Sequence, residues 1–308
     1  MTEDKTLKWL LNGDISIQYQ TYRDLLDVDN PELQERIQLE GWGKQFLNCR
    51  QANGHWGKSF YQPKWTCSHY TLLDLKNLNI LPTKEIKDTL ELVFTKEKCS
   101  DGGINPADSV KQSDVCINGM IVNYSSYFQV NEEHLKSVVD FLLAEKMPDG
   151  GFNCHSNRKG AIHSSVHTTL SVLEGFAEYR KNYTYRLNEI AEAEKEAQEF
   201  LLVHKLYRSD KTDEIINPKF LKFPYPCRWY YDILKAMDYF QMADVAYDIR
   251  MDDAINVIFS KKTKENQWKL SPKYSGATHF DMEEVGKPSR WNTLRALRIL
   301  KRYDKCNS

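Results

Sequence analysis

The chain has almost no net charge: 42 Lys and Arg residues stand against 43 Asp and Glu. No global field therefore draws it toward nucleic acid or an anionic membrane, and any charge selectivity has to be local. A long apolar run is also missing. The N-terminus, MTEDKTLKWLLNGD, is acidic and only briefly apolar, which argues against a signal peptide or transmembrane span there and makes a cytoplasmic location the default expectation. Cysteine occurs at 49, 67, 99, 116, 154, 227 and 306 but never as CxxC, and an odd number of thiols fits a reduced set better than a disulfide framework. Strand-type alternation is absent over any useful length. So are linkers, low-complexity tracts, and any GxSxG, P-loop or GxGxxG sequence in a strand-to-helix turn. What remains is an all-α chain, 41% hydrophobic and 12% aromatic, with enough apolar residues to bury a large core.

An internal repeat organises it. A pair of apolar residues is followed by Gln or Lys, a turn residue, and an aromatic residue or Ile. The clearest copies run from Phe46-Leu47 through Gln51 and Gly54 to Trp56, and from Phe141-Leu142 through Lys146 and Gly150 to Phe152. Weaker copies pass through Lys98, Gly102 and Ile104, through Lys205 and Ser209, and through Lys262, Asn266 and Trp268. Successive Gln/Lys positions lie 47, 48, 59 and 57 residues apart, the length of two helices with their connections.

Helical periodicity comes in two alternating kinds. Charged amphipathic segments at 31–50, 84–98, 131–147, 184–206 and 247–261 read as outer helices. Segments apolar nearly all round, at 15–27, 65–78, 115–128, 163–179, 228–241 and 290–303, read as inner helices, and 4–11 offers a sixth outer piece. The expected fold is a single-domain α/α toroid over 1–308, an (α/α)6-like barrel of helical hairpins. Its long connections, 53–64, 101–113, 149–162, 207–226 and 262–289, all run from outer to inner helices, so they gather on one rim where binding and chemistry usually sit.

Aligning the inner helices on their apolar spine places His69, His167, Arg228 and Trp291 in one column, with Trp65 and His163 one turn earlier. His163 and His167 would share a helix face, either as lumen ligands or as packed, capped histidines. Asp114-Val-Cys116 adds a carboxylate and a thiol, and Asp, Cys and His are competent zinc ligands. Basic residues before the inner helices (Lys64, Arg158, Lys159, Lys222, Arg228, Lys287 and Arg290) could bind an anionic head, or could simply be solvated loop charges. Arg228 and Arg290 stand out because each adjoins an aromatic residue. Trp65, Trp229, Tyr230, Tyr231 and Trp291, with Tyr70 and Tyr124, could wall an apolar pocket. Asp108, Asp114, Asp281, Glu283 and Glu284 are the rim acids from which a glycoside-cleaving pair could be drawn.

The pieces FLLAEKMPDGGF, FLNCRQANGHW, WTCSHYTLLDL, CRWYYDILKAMDYF and SRWNTLRALRIL carry a family likeness. They resemble the QW repeat of squalene and hopene cyclases and of protein prenyltransferase β subunits, and look like uncharacterised bacterial prenyltransferase/squalene-oxidase-repeat proteins. The resemblance spans most of the chain and implies an α/α toroid whose cavity holds an isoprenoid or other apolar substrate. The acidic DxDD motif of proton-initiated cyclases is missing; Asp27-Val-Asp29-Asn30 and Asp252-Asp253 fall short of it. Prenyltransferase β subunits hold zinc with Asp-x-Cys in one repeat and His in the next. The resemblance thus implies zinc on Asp114, Cys116 and His163 or His167, although the family's histidine would fall near Ser165. Three functions stay open at this point: a prenyltransferase- or cyclase-like transferase, a non-catalytic ligand-binding toroid, and a carbohydrate-active (α/α)6 enzyme. In the first, Arg228 and Arg290 orient an anionic head while Trp65, His69, Trp229, Tyr230 and Trp291 enclose the substrate.

Overall fold

The computed structural model describes residues 2–105 and 111–303. Among them are fourteen α-helices: α1 (Thr2–Leu11), α2 (Ile15–Leu25), α3 (Pro31–Arg36), α4 (Gly41–Asn48), α5 (Ser68–Asn77), α6 (Lys84–Lys96), α7 (Val115–Tyr127), α8 (Glu132–Ala144), α9 (Ser156–Lys159), α10 (Val166–Asn182), α11 (Leu187–Val203), α12 (Ile233–Met242), α13 (Asp252–Ser260) and α14 (Arg290–Tyr303). The only sheet among these residues pairs Trp268–Lys269 with Pro288–Ser289. No helix among them is long and apolar enough to cross a membrane.

The expected division into charged and apolar helices holds for α6, α7 and α8, whereas α14, expected to be apolar nearly all round, buries Arg295 and Arg298. On α6 the buried residues are Ile86, Thr89, Leu90, Val93 and Phe94, and on α8 they are Leu135, Val138, Val139, Phe141 and Leu142. Both sets recur at 3.6-residue spacing, leaving the charged residues outside. Their starts are capped: Thr83 accepts from the Ile86 amide at 3.4 Å and Asn131 from the Glu133 amide at 3.1 Å. By contrast α7 is buried from Val115 to Ser126 apart from Cys116, and carries no charged residue.

The chain resolves into two compact units, one comprising residues up to Asn48, Asn77–Leu81 and Val203 onward, the other Cys49–Lys76 and Pro82–Leu202. In the second unit α7 crosses α10 at a point where both helices carry glycine. A Cβ on Gly119 would lie 2.7 Å from the Ser171 carbonyl oxygen, and one on Gly175 only 2.4 Å from the Gly119 carbonyl oxygen. The helices therefore touch backbone to backbone, closer than side chains allow. In the first unit α12 and α14 are joined through charge: Asp238 accepts from Arg295 Nε at 3.1 Å and from Arg298 Nε at 2.5 Å, while Arg298 Nη1 reaches Asp24 of α2 at 2.8 Å.

The repeat has a physical function in both units. The residue that ends each of four copies donates its backbone N–H to a side chain of the following inner helix. Trp56 bonds Ser68 (3.1 Å), Ile104 bonds Asn118 (2.7 Å), Phe152 bonds Thr169 (3.0 Å) and Trp268 bonds Thr293 (3.0 Å). All four donor residues are fully buried, so these bonds satisfy amides that water cannot reach. The Asp-Gly-Gly turns add a second fastening: Asp101 accepts from the Ser113 amide and hydroxyl at 2.7 and 2.8 Å, and Asp149 from the Ser164 amide at 2.8 Å and from the Ser164 hydroxyl.

One outer helix buries an acid. Glu194 of α11 is 3% exposed, and its pKa is pushed up to about 7 by burial, against the pull of Arg180. Arg180 Nε lies 2.8 Å away, but its own side chain is 42% exposed, so the ion pair is only half withdrawn from water. An acid whose folded pKa exceeds its unfolded value binds more protons in the native state. Stability is then greatest below the unfolded pKa of about 4.5 and declines as pH rises from there through 7, by about 3 kcal/mol. Urea titrations across this range should show that slope, and Glu194→Gln should flatten it.

Candidate functional site

Asp114, Cys116 and Cys154 converge in the second unit, one ligand atom from each lying within 4.8 Å of the others. The positions follow from two local structures. Asp114 is the N-cap residue of α7, at φ −85° and ψ 119°, yet its side chain makes no cap hydrogen bond. Cys116 sits in the first turn of the same helix. Cys154 lies in the loop two residues beyond the clamped Phe152, and that clamp delivers it to the helix: Cys154 Sγ accepts from the Cys116 amide at 3.1 Å and from the Thr168 hydroxyl at 3.4 Å. First-turn amides have no intrahelical partner, so a sulfur is a natural acceptor there. All three residues are half-buried, neither sealed off nor freely solvated.

This donor set suits zinc. Two thiols and a carboxylate are ordinary zinc ligands, and bonds of about 2.3 Å in a tetrahedron require donor atoms about 3.8 Å apart. A set spread over at most 4.8 Å needs only a small contraction. Three protein ligands leave the fourth position for water or substrate.

An aromatic cluster borders this set. Tyr61 and Tyr70 share a hydroxyl–hydroxyl hydrogen bond of 3.1 Å, and Trp65 packs edge-on to Tyr70 with centroids 4.8 Å apart. Burial raises both phenol pKa values, and the charges of Cys116 and Cys67 add to the effect. Tyr61 and Tyr70 thus stay protonated at neutral pH. His69 is fully buried among Phe60, Tyr61, Tyr70 and Tyr124, and its Nδ1 lies 3.2 Å from the Tyr124 hydroxyl. Burial pushes its pKa down to about 3, so it is neutral and packs as part of the aromatic wall.

The two histidines expected as zinc ligands do not join the set. His163 precedes α10, is exposed, and offers its backbone carbonyl to Asn153 Nδ2 at 2.8 Å. His167 is the second residue of α10, half-buried, with its carbonyl accepting from the Ser171 hydroxyl. Because α10 begins at Val166, the two histidines do not share a helix face. Among the described residues the metal-competent group is Asp114, Cys116 and Cys154, so a cysteine stands where a histidine was expected.

Arg228, Trp229, Tyr230, Arg290 and Trp291 all belong to the first unit. Arg228 is not on α12; it lies five residues before that helix, buried, with φ +57°. Trp229 stacks on Tyr230 (centroids 3.9 Å apart) and Tyr230 on Tyr274 (3.4 Å). Trp291 packs edge-on to Trp42 and Tyr225. Arg290 is occupied locally: its guanidinium lies 4.5 Å over the Trp9 ring and its Nε donates to the Trp9 carbonyl at 3.0 Å.

The rim acids are also placed. Asp281 pairs with Lys273, and Glu283 caps α14 by accepting from the Arg290 amide at 2.7 Å and the Trp291 amide at 3.3 Å. Glu284 is exposed, Asp114 stands with the two sulfurs, and Asp108 lies outside the described residues.

No family model matches the sequence, and no curated protein matches it. Solved structures do. A polysaccharide lyase, BACCELL_00875, is 11% identical with a TM-score of 0.53, over 92% of this chain and 86% of that one. A glycosyl hydrolase family 88 protein from Bacteroides vulgatus is 12% identical with a TM-score of 0.54, over 92% and 88%. The type II terpene cyclase MstE from Scytonema, in complex with its product merosterolic acid A, is 11% identical with a TM-score of 0.35, over 84% and 94%. The fold is the α/α toroid.

Proposed function

We propose that the chain is a metal-dependent, prenyltransferase-like enzyme in which Asp114, Cys116 and Cys154 hold zinc and an isoprenoid or similarly apolar substrate lies against the neighbouring aromatic residues. The observation that carries this reading is the convergence of one carboxylate and two sulfurs from separate repeats. Zinc bound there would acidify a thiol or water at its open position, supplying a nucleophile at neutral pH. The chain's own residues have definite tasks. The Cys116 amide and Thr168 hydroxyl orient Cys154 Sγ. Tyr61, held protonated by burial, can donate a hydrogen bond to a departing oxygen, with Tyr70 fixing its hydroxyl. Trp65, Tyr70 and Phe60 exclude water and favour an apolar tail.

Metal analysis of purified protein tests the proposal. Stoichiometric zinc is expected, lost in Cys116→Ala and in Cys154→Ala but retained in His163→Ala. Metal-free protein after preparation with zinc in the medium, or zinc kept by both cysteine variants, would overturn it.

A second reading is supported by the two neighbours with TM-scores above 0.5, a polysaccharide lyase and a glycosyl hydrolase. The half-buried stack of Trp229, Tyr230 and Tyr274 is built of the aromatic side chains that pack on sugars. Against it, Asp281 and Glu283 are already engaged by Lys273 and by the start of α14. Titrating the protein with a prenyl diphosphate and with acidic oligosaccharides separates the two, since each reading expects saturable binding of only one. Binding without turnover would leave a non-catalytic toroid.

A further inference from the structure

The geometry points to Cys116 and Cys154 as an oxidative modification site, at which a hydroperoxide closes a disulfide and withdraws both sulfurs from the donor set. The effect on metal binding rests on the zinc reading above; the cross-link itself does not. Three observations support the pair. Their sulfurs lie within 4.8 Å, and Cys154 Sγ already touches the backbone amide of Cys116. Closure to about 2.05 Å then starts from a contact that already exists. Both residues are half-buried, whereas Cys67 and Cys227 are buried with their thiols donating to the carbonyls of Lys64 and Pro224. Finally, the two come from separate segments, Cys116 from the buried helix α7 and Cys154 from the loop before α9, so the cross-link would join two different repeats.

The chemistry balances. Cys154 sulfur, held by the Cys116 amide and the Thr168 hydroxyl, attacks one oxygen of the peroxide. The O–O bond breaks, the departing oxygen takes the thiol proton and leaves as water or an alcohol, and Cys154 becomes a sulfenic acid. Cys116 sulfur then attacks the Cys154 sulfur, the S–O bond breaks, and the hydroxyl leaves as water with the Cys116 proton. The two sulfurs lose two electrons and the peroxide gains them.

The experiment treats full-length protein with hydrogen peroxide in two forms, stripped with a chelator and reloaded with zinc, and maps the thiols by alkylation and peptide mass. In stripped protein, two of the seven thiols should disappear together, with a Cys116–Cys154 cross-linked peptide lighter by about 2 Da. Thiol-reducing agent should restore both, and Cys116→Ser or Cys154→Ser should abolish the cross-link. Separate modification of Cys116 and Cys154 in stripped protein, without the cross-linked peptide, would overturn the proposal. Zinc should slow cross-linking at least tenfold; a cross-link that forms equally fast with zinc present would keep the modification site and refute the metal reading instead.

Discussion

A Gly175→Ala variant is expected to lose at least about 3 kcal/mol of stability, the upper part of the range for overpacked cores. Helix propensity alone predicts the opposite, since Ala in a helix interior is favoured over Gly by about 1 kcal/mol. Geometry decides the sign. The new methyl group would stand 2.4 Å from the Gly119 carbonyl oxygen, and that oxygen belongs to the backbone of a buried helix that cannot rotate aside. Relief requires separating α7 from α10, with loss of packing among residues such as Ile121, Val122, Val172 and Phe176, all fully buried. Gly119→Ala should act in the same direction, because its methyl group would meet the Ser171 carbonyl at 2.7 Å. Thermal melts followed by circular dichroism would check both, and a variant as stable as the parent would refute the backbone contact. Cys116 lies one turn before Gly119 and Thr168 lies two turns before Gly175, so both variants should also increase the alkylation rate of Cys154.

Asp238→Ala should be comparably severe, at about 3–5 kcal/mol, the cost of removing one partner from a buried ion cluster. Asp238 receives Nε of both Arg295 and Arg298, and these three side chains are no more than 10% exposed. Without the carboxylate, Arg295 loses the acceptor at its Nε, and Arg298 is left with Asp24 as its carboxylate partner. Replacing all three by apolar residues of similar size should cost far less than Asp238→Ala, since the remaining charges, rather than the lost bonds, carry most of the penalty. The cluster also predicts a response to acid. Burial opposes ionisation of Asp24, but Arg298 and Arg23 outweigh it and hold its carboxyl below the usual range. Its contribution is present above the unfolded carboxylate pKa of about 4 and is lost as pH falls through the lower folded value. Urea unfolding of the wild type and Asp238→Ala at pH 7 tests the first claim; the acid limb of the wild-type profile tests the second.

Much of this architecture was legible in the sequence because burial imposes periodicity. The placement of His69, His167 and Trp291 in one column holds in a definite sense: each is the second residue of its helix. Arg228 breaks the column. The run Cys227 to Tyr231 is aromatic and largely buried, which periodicity cannot distinguish from helix, but Arg228 adopts a left-handed conformation and Asp232 caps α12 by accepting from the Lys235 amide at 2.8 Å. The helix starts at Ile233 as a result. His163 was misplaced for a related reason: the fastening of Ser164 to Asp149 occupies the turn that helical spacing had assigned to α10. Cys154 was missed altogether. Its sequence signal was its place two residues after the aromatic that closes an Asp-Gly-Gly repeat, and the bonds of Phe152 to Thr169 and of Cys154 to Thr168 turn that place into proximity with Cys116.

The four amide clamps have a kinetic consequence. Each bond joins residues only 12, 14, 17 or 25 positions apart, so the chain can close each one by a short loop before any distant helix has docked. Folding that proceeds through such local closures carries a small entropic barrier at every step. The amides of Trp56, Ile104, Phe152 and Trp268 would then be among the first to gain protection in pulse-labelled hydrogen exchange, ahead of the long-range Asp238 cluster, whose partners Arg298 and Asp24 are 274 residues apart.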